Sequence, residues 1–147
     1  MKKLILRYVK KDRVAPGDDR YEYVEFNKPR KELVDLHILY EVLSGLLGQV
    51  DWAEVDIFSN QFVGFANDCV SLDKLNDRYY ISYAFENTPY SQKSSLSVQD
   101  FKNVFGDWRN FFDSKVKYIV LQQLDNNNFS IEGKDTLSED ELKYIHE

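Results

Sequence analysis

The chain has 147 residues and a formal net charge of −6, with 43% hydrophobic and 30% charged residues. This size and composition argue against disorder and predict one globular domain covering residues 1–147. One cysteine and two histidines exclude an internal disulfide and a multi-cysteine zinc site, so we expect neither a cofactor nor a metal.

Hydrophobic periodicity predicts alternating strands and helices along the whole chain. In the first half, a strand hairpin is expected over 3–10 and 21–26, followed by a buried helix with a broad apolar face over 33–47. Two further strands are expected over 51–59 and 62–72, and the second of these is broken near 67–68. In the second half, they are a strand over 78–86, a helix over 97–112, strands over 116–124 and 129–132, and a short C-terminal helix.

Local capping patterns predict where the helices begin. Asn27-Lys28-Pro29 is typical of a helix start, because Asn can accept the free amide hydrogens of a first turn and Pro is tolerated there. Ser97 with Asp100, and Ser138 with Glu141, have the spacing of capping boxes. Together these elements predict an α+β fold with a largely antiparallel sheet, two main helices packed on one face and a short C-terminal helix.

Charge is unevenly distributed along the sequence. Residues 32–73 hold eight Asp or Glu and no Lys or Arg. A net negative charge opposes binding to nucleic acid and favours a basic protein partner. The residues that we predict to contact this partner are Asp51, Trp52, Glu54, Asp56, Phe58, Asp68 and Asp73.

On a strand, Trp52, Glu54, Asp56 and Phe58 share one face. Such a mixture of carboxylates and aromatic anchors is common where inhibitors bind basic enzymes. Three other interpretations remain open: a solvated acidic face, a metal site at the carboxylates, and core positions for the two aromatic residues.

No catalytic or phosphate-binding motif is present in the sequence. We expect His37 to be a packed or half-exposed helix residue and His146 a solvated terminal residue. Cys69 has no Lys, Arg or His beside it in sequence, so we expect a buried, inert thiol. With no signal peptide or transmembrane segment apparent, the expected compartment is the cytoplasm, without membrane association.

The chain resembles the small acidic immunity proteins that protect bacteria from toxins, including those of contact-dependent growth inhibition. The resemblance rests on size, acidity, aromatic richness, α+β order and missing catalytic motifs. It also rests on the run from Phe101 through Trp108 to Phe112, the strand 116–124 and the asparagine-rich turn. It implies a non-enzymatic inhibitor that binds a toxin one to one and covers its active site or the surface beside it.

Two other functions fit the same sequence. One is a phage-encoded inhibitor of a host defence nuclease, for which the binding physics is the same. The other is a small α+β enzyme or ligand-binding domain with a pocket lined by tyrosines and carboxylates. The oligomeric state is not specified by the sequence.

Overall fold

The computed structural model describes residues 1–10, 21–27, 30–49, 62 and 64–146. Within these residues it has three helices and eight strands, and the strands form two antiparallel sheets. The strands are β1 (Lys2–Lys10), β2 (Tyr21–Glu25), β3 (Gly64–Ala66), β4 (Val70–Leu75), β5 (Arg78–Tyr83), β6 (Ser95–Ser97), β7 (Tyr118–Asp125) and β8 (Asn128–Lys134). The helices are α1 (Val34–Gln49), α2 (Val98–Ser114) and α3 (Glu139–His146). The α+β class is therefore confirmed, with the strands divided between two sheets; the strand expected over 51–59 lies outside the described residues.

The terminal sheet contains the strands from the two ends of the chain, in the order β2-β1-β7-β8. β1 pairs with β2 as the expected antiparallel neighbour and with β7 on its other side. The turn between β7 and β8 forms where the sequence predicts it. There the Asp125 carboxylate accepts hydrogen bonds from the backbone N–H of Asn127 at 2.8 Å and the side chain of Asn128 at 2.7 Å.

The middle sheet has the order β3-β4-β5-β6 and comes from one continuous stretch of chain. The predicted break near 67–68 is confirmed, because the Asn67 side-chain oxygen accepts hydrogen bonds from the backbone N–H groups of Cys69 and Val70 at 2.8 and 2.9 Å. β5 ends at Tyr83, before the expected residue 86. Phe85 adopts a left-handed φ of +64°, which a strand cannot contain.

One cluster of buried apolar side chains lies between the two sheets and the two long helices. α1 contacts β4, β5 and β7, and α2 contacts β6 and β8. The helix predicted to be buried over 33–47 has most of its apolar side chains in the core, except near its start, where Val34 is 38% exposed, and five of its residues have no exposed surface: Leu36, Leu39, Val42, Leu43 and Leu46. Each such leucine contributes roughly 1.5–3 kcal/mol through burial, so this cluster holds the sheets and helices in place.

The predicted short C-terminal helix is present as α3 and packs on the terminal sheet, apart from the two long helices. α3 contacts β1. Ile5 and Val120 alternate with core-facing neighbours and are fully buried outside the central cluster. The predicted capping box of α3 is present: the Ser138 hydroxyl accepts from the Glu141 N–H at 3.2 Å, and the Glu141 carboxylate accepts from the Ser138 N–H at 2.9 Å.

The predicted helix start at Asn27 is wrong. The Asn27 side chain is buried against β1, where its oxygen accepts from the Ile5 N–H at 2.6 Å and its amide donates to the Lys3 carbonyl at 3.0 Å. Asn27 thus satisfies backbone groups of a distant strand. The helical segment instead begins with a 3-10 turn at Lys31–Leu33, preceded by Arg30 without a side-chain cap.

Candidate functional site

An open groove lies between the N-terminal half of α1 and the ends of β4 and β5. Its volume is about 620 Å³. Val34, Val70 and Tyr83 supply apolar surface, and Val34 and Tyr83 are 38% and 42% exposed. The polar and charged side chains that also line the groove are Arg30, Lys31, His37, Glu41 and Cys69.

His37 projects from α1 into this groove and is half-buried, as expected for a helix histidine. Its Nδ1 lies 2.5 Å from Glu25 Oε1, and this hydrogen bond joins α1 to β2. A carboxylate on one ring nitrogen fixes the orientation of an imidazole, so His37 is held rigidly at the groove wall.

Cys69 is exposed, so the expectation of a buried thiol is wrong. The structure brings Cys69 and His37 to the same groove, although they are 32 positions apart in the sequence. Thiol catalysis uses a base within hydrogen-bond reach of the sulfur. In the part of the chain that the structure describes, no hydrogen bond joins the thiol to His37. The structure therefore does not show the thiol–base contact that such catalysis uses.

Phe85 follows the groove at the end of β5 and is 93% exposed. The Ala84 N–H donates to the Cys69 carbonyl at 2.9 Å, which holds this turn beside the groove. The left-handed backbone of Phe85 costs roughly 1–2 kcal/mol, and an exposed ring gains nothing from burial to offset that cost. Phe85 therefore combines a left-handed backbone with a ring that the described residues do not cover.

The core of the predicted acidic face falls outside the described residues. Asp51, Trp52, Glu54, Asp56 and Phe58 all belong to this unplaced stretch. Their arrangement on one face therefore stays a prediction.

Asp68 and Asp73 are described and lie in different surroundings. Asp68 is exposed in the turn between β3 and β4, beside Cys69 and the groove. Asp73 is half-buried in β4, opposite Tyr80, and alternates with the buried Leu72, so it faces away from the core. The two carboxylates thus belong to different local environments, one in a turn and one within a strand.

Other acidic residues of the 32–73 segment are engaged within the chain. The Asp35 carboxylate accepts hydrogen bonds from the Ser94 hydroxyl at 2.5 Å and the Gln123 amide at 3.1 Å, where α1 meets both sheets. Glu32 lies 3.9 Å from Arg30. Among the described acidic residues of this segment, Asp35 and Glu32 therefore have partners within the chain.

A second, smaller cavity of about 230 Å³ lies where β2, α1 and α2 meet. We call it the aromatic cavity, because the rings of Tyr23, Tyr40, Trp108 and Phe112 line it. The Tyr23 ring centroid lies 6.2 Å from that of Trp108 and 5.8 Å from that of Phe112, and Tyr40 lies 6.1 Å from Trp108. The ring planes are inclined to one another by 50° to 65°, so they form walls rather than a flat stack.

Hydrogen bonds to backbone fix both tyrosines of the aromatic cavity. The Tyr40 hydroxyl donates to the Tyr23 carbonyl at 2.8 Å, and the Tyr23 hydroxyl donates to the Val116 carbonyl at 2.6 Å. Burial raises the pKa of both to about 12. The negative charges of Glu41 and Glu25 raise the pKa of Tyr40 further, which indicates a negative potential at this hydroxyl.

Two other kinds of site are absent from the described residues. No helix there has the length and apolar character needed to cross a membrane. No group of three or more His, Cys, Asp or Glu side chains converges there in a way that would hold a metal ion. Comparison with protein families, curated proteins and solved structures yields no significant match to this chain.

Proposed function

We propose that the chain is a non-enzymatic inhibitor that binds a basic protein one to one and blocks its activity, as an immunity protein blocks a toxin. The observation that carries the proposal is Phe85, an exposed aromatic residue on strained backbone beside an open groove. Aromatic anchors supply much of the energy of protein interfaces. Full burial of such a ring in a partner contributes roughly 1.5–3 kcal/mol, enough to offset the backbone strain.

The docking surface that we propose consists of the groove and its rim, defined by Val34, Glu41, Asp68, Tyr83 and Phe85. The net charge of −6 favours a basic partner through long-range attraction, and Glu41 in the groove and Asp68 beside it are the carboxylates of this surface. Arg30 and Lys31 line the same groove and give it a charge gradient, which restricts the orientation of a docked partner. The face predicted at 51–58 is a separate part of the proposal, because it lies outside the described residues.

A nuclease is the partner class that fits best, because a substrate cleft that binds phosphates is lined by Lys and Arg. A toxin nuclease and a host defence nuclease present the same chemistry. A neighbouring gene for a large toxin supports the first, and a prophage neighbourhood supports the second. The exposed thiol of Cys69 suits the reducing cytoplasm as the compartment.

The proposal is tested by isolating the chain from its native host with an affinity tag. We expect it to co-purify in a one-to-one ratio with a protein of basic isoelectric point, and the added chain to abolish that protein's activity. The association rate should fall as salt concentration rises. A partner that keeps full activity in the complex contradicts inhibition, and an acidic partner contradicts the electrostatic argument.

Phe85→Asn tests the docking surface, since Asn tolerates a left-handed backbone and removes the ring. We expect a loss of affinity of about thirtyfold, corresponding to an anchor worth ~2 kcal/mol. Leu124→Asn is the matched control, because Leu124 is 66% exposed in the β7–β8 hairpin, an element that contributes no side chain to the groove. Equal affinities of the two variants would remove Phe85 from the interface.

The 51–58 face has its own tests. Charge reversal at Glu54 and Asp56 is expected to slow association, and Trp52→Ala to cost ~2–4 kcal/mol of binding energy. A folded Trp52→Ala variant with undiminished affinity excludes this anchor. An unchanged association rate after charge reversal excludes the acidic face.

A further inference from the structure

We propose that His37 and Glu41 together receive a lysine or arginine side chain of the docked partner, and that acid releases this side chain by protonating His37. This pairing depends on the proposed function, because it names the group that the same groove recognises in the partner. Its starting point is the hydrogen bond of 2.5 Å between His37 Nδ1 and Glu25 Oε1, which orients the imidazole in the groove wall.

The Glu25 carboxylate decides which nitrogen of the neutral imidazole carries the proton. An ionised carboxylate only accepts hydrogen bonds, so Nδ1 of His37 is the protonated nitrogen in this contact. Nε2 then holds a lone pair and is an acceptor. No hydrogen bond engages Nε2 within the described residues, and the His37 side chain keeps 19% of its surface exposed. The fold therefore presents an oriented acceptor that a donor docked in the groove can use.

Glu41 supplies a second acceptor on the same face of α1. It follows His37 by four positions, which corresponds to about 6 Å of helix rise, and both residues line the groove. Glu41 is exposed and forms no ion pair within the described ranges. A lysine ammonium has three N–H donors and an arginine guanidinium has five, so either group can bond to both acceptors at once.

The charges along the groove favour a partner cation at this end of it. Arg30 and Lys31 precede α1 and lie six or seven positions before His37, whereas Glu41 lies one turn beyond His37. The two positive charges repel a cation from the start of the groove. Glu25 and Glu41 place negative charges on both sides of the imidazole. A partner cation is therefore directed towards His37 and Glu41 and away from the first turn.

Protonation of His37 reverses this preference. Histidine is the side chain whose charge ordinarily changes between pH 5 and 8. In the charged form both ring nitrogens are donors, so Nε2 no longer accepts, and the added charge repels a partner cation. Glu25 stays bonded to Nδ1 in both forms, so the change acts at Nε2. Binding is therefore expected to weaken as pH falls through the titration of His37. The described charged and titratable groups that surround His37 are Glu25, Arg30, Lys31, Glu41, Cys69 and Tyr83.

The first test measures, by calorimetry, the affinity for the basic protein that co-purifies with the chain, at pH 7.5 and pH 5.5. We expect acidification to weaken binding of the natural chain about tenfold more than binding of His37→Gln, whose side chain does not titrate. All other titrating groups, including those of the partner, are common to both chains. His146→Gln is the matched control, because it removes the other histidine of the chain, in α3, whose described residues do not line the groove. It should follow the natural chain, and equal pH dependence of the natural chain and His37→Gln overturns the role of His37.

A pair of variants tests the second acceptor at pH 7.5. Glu41→Gln removes the charge that faces the partner cation and should weaken binding at least about fivefold. Glu139→Gln is the matched control, because it changes the net charge equally at an exposed position of α3, outside the groove. We expect less than about a twofold change for it, because it acts through long-range charge alone. Equal losses for the two variants would mean that only net charge matters, which overturns the pairing with Glu41.

A measurement on the free chain separates failure of this pairing from failure of the proposed function. In nitrogen NMR of the histidine-labelled full-length chain at pH 8, we expect the His37 proton on Nδ1, with the His37 signals identified by their loss in His37→Gln. A proton on Nε2 overturns the pairing and leaves the inhibitor proposal standing. If no basic protein co-purifies with the chain, the proposed function is refuted, and the pairing that depends on it is refuted as well.

Discussion

Replacement of Glu141 tests how α3 is held to the terminal sheet. Glu141 has no exposed surface, and its carboxylate lies 2.8 Å from the Lys134 ammonium through each of its oxygens. It also accepts the Ser138 N–H at 2.9 Å. Removing the carboxylate leaves two buried or half-buried donors without this acceptor.

The expected magnitude follows from these contacts. Hydrogen bonds to a charged group contribute about 1.5–3 kcal/mol, and a helix cap contributes about 1 kcal/mol. Lys134 keeps a second carboxylate, that of Glu132 at 3.5 Å, which limits the loss. We expect Glu141→Ala to lower the free energy of unfolding by about 3 kcal/mol, and the isosteric Glu141→Gln by about 1–2 kcal/mol.

At acidic pH, the Glu141→Gln variant and the natural chain should have the same free energy of unfolding. Burial raises the pKa of the Glu141 carboxyl, but the hydrogen bonds from Lys134 and Ser138 outweigh it and hold the pKa below its ordinary value of 4.5. The stabilising effect is thus present above pH 4.5 and is lost as pH falls through the lower, folded-state pKa.

Urea unfolding at pH 7 and at about pH 3 measures this difference. Glu139→Gln is the control, because Glu139 is exposed in the same helical turn and changes the net charge equally. We expect it to change stability by about 0.5 kcal/mol or less. A Glu141→Gln penalty that is as large at pH 3 as at pH 7, or no larger than that of Glu139→Gln, would refute the reasoning.

Three further predictions concern backbone geometry and buried hydroxyls. Gly64→Ala should lower stability by about 3 kcal/mol in the same unfolding assay, because φ is +151° and a Cβ would lie 2.2 Å from the Leu72 carbonyl oxygen; a neutral effect would contradict that geometry. Phe85→Asn should raise the free energy of unfolding by about 0.5–1 kcal/mol by relieving left-handed strain, and a loss of stability would mean that the ring packs on the fold. Tyr23 and Tyr40 should ionise near pH 12 in ultraviolet titration. Because the ordinary pKa of tyrosine is 10.0, the free energy of unfolding should fall as pH rises from 10 towards 12. Ionisation of every tyrosine near pH 10 would contradict the burial of these two hydroxyls.

Local patterns predicted the features that depend on neighbours in sequence. Ser97 caps α2 by accepting the Asp100 N–H at 3.0 Å, at the residue that the capping pattern predicts. Strand alternation likewise gave the β1–β2 pairing. Asn27 could not be predicted in this way, because its partners lie in β1, 22 and 24 positions away.

The candidate site was harder to predict than the fold, because distant elements build it. Cys69 has no Lys, Arg or His beside it in sequence, yet it shares a groove with His37 of α1. Phe85 looked like one more residue of an alternating strand, and only its backbone conformation separates it from that strand. The rings of the aromatic cavity come from three elements and carry no shared sequence signal.

The pairing of β1 with β7 governs the order in which this protein can assemble during translation. Leu4 lies opposite Leu121, so the first strand waits for a partner that the ribosome makes near the end of the described chain. The middle sheet needs only residues 64–97 and can assemble earlier on the nascent polypeptide. Until β7 emerges, the edge of β1 that includes Leu4 has no strand partner, and we expect chaperones to bind there.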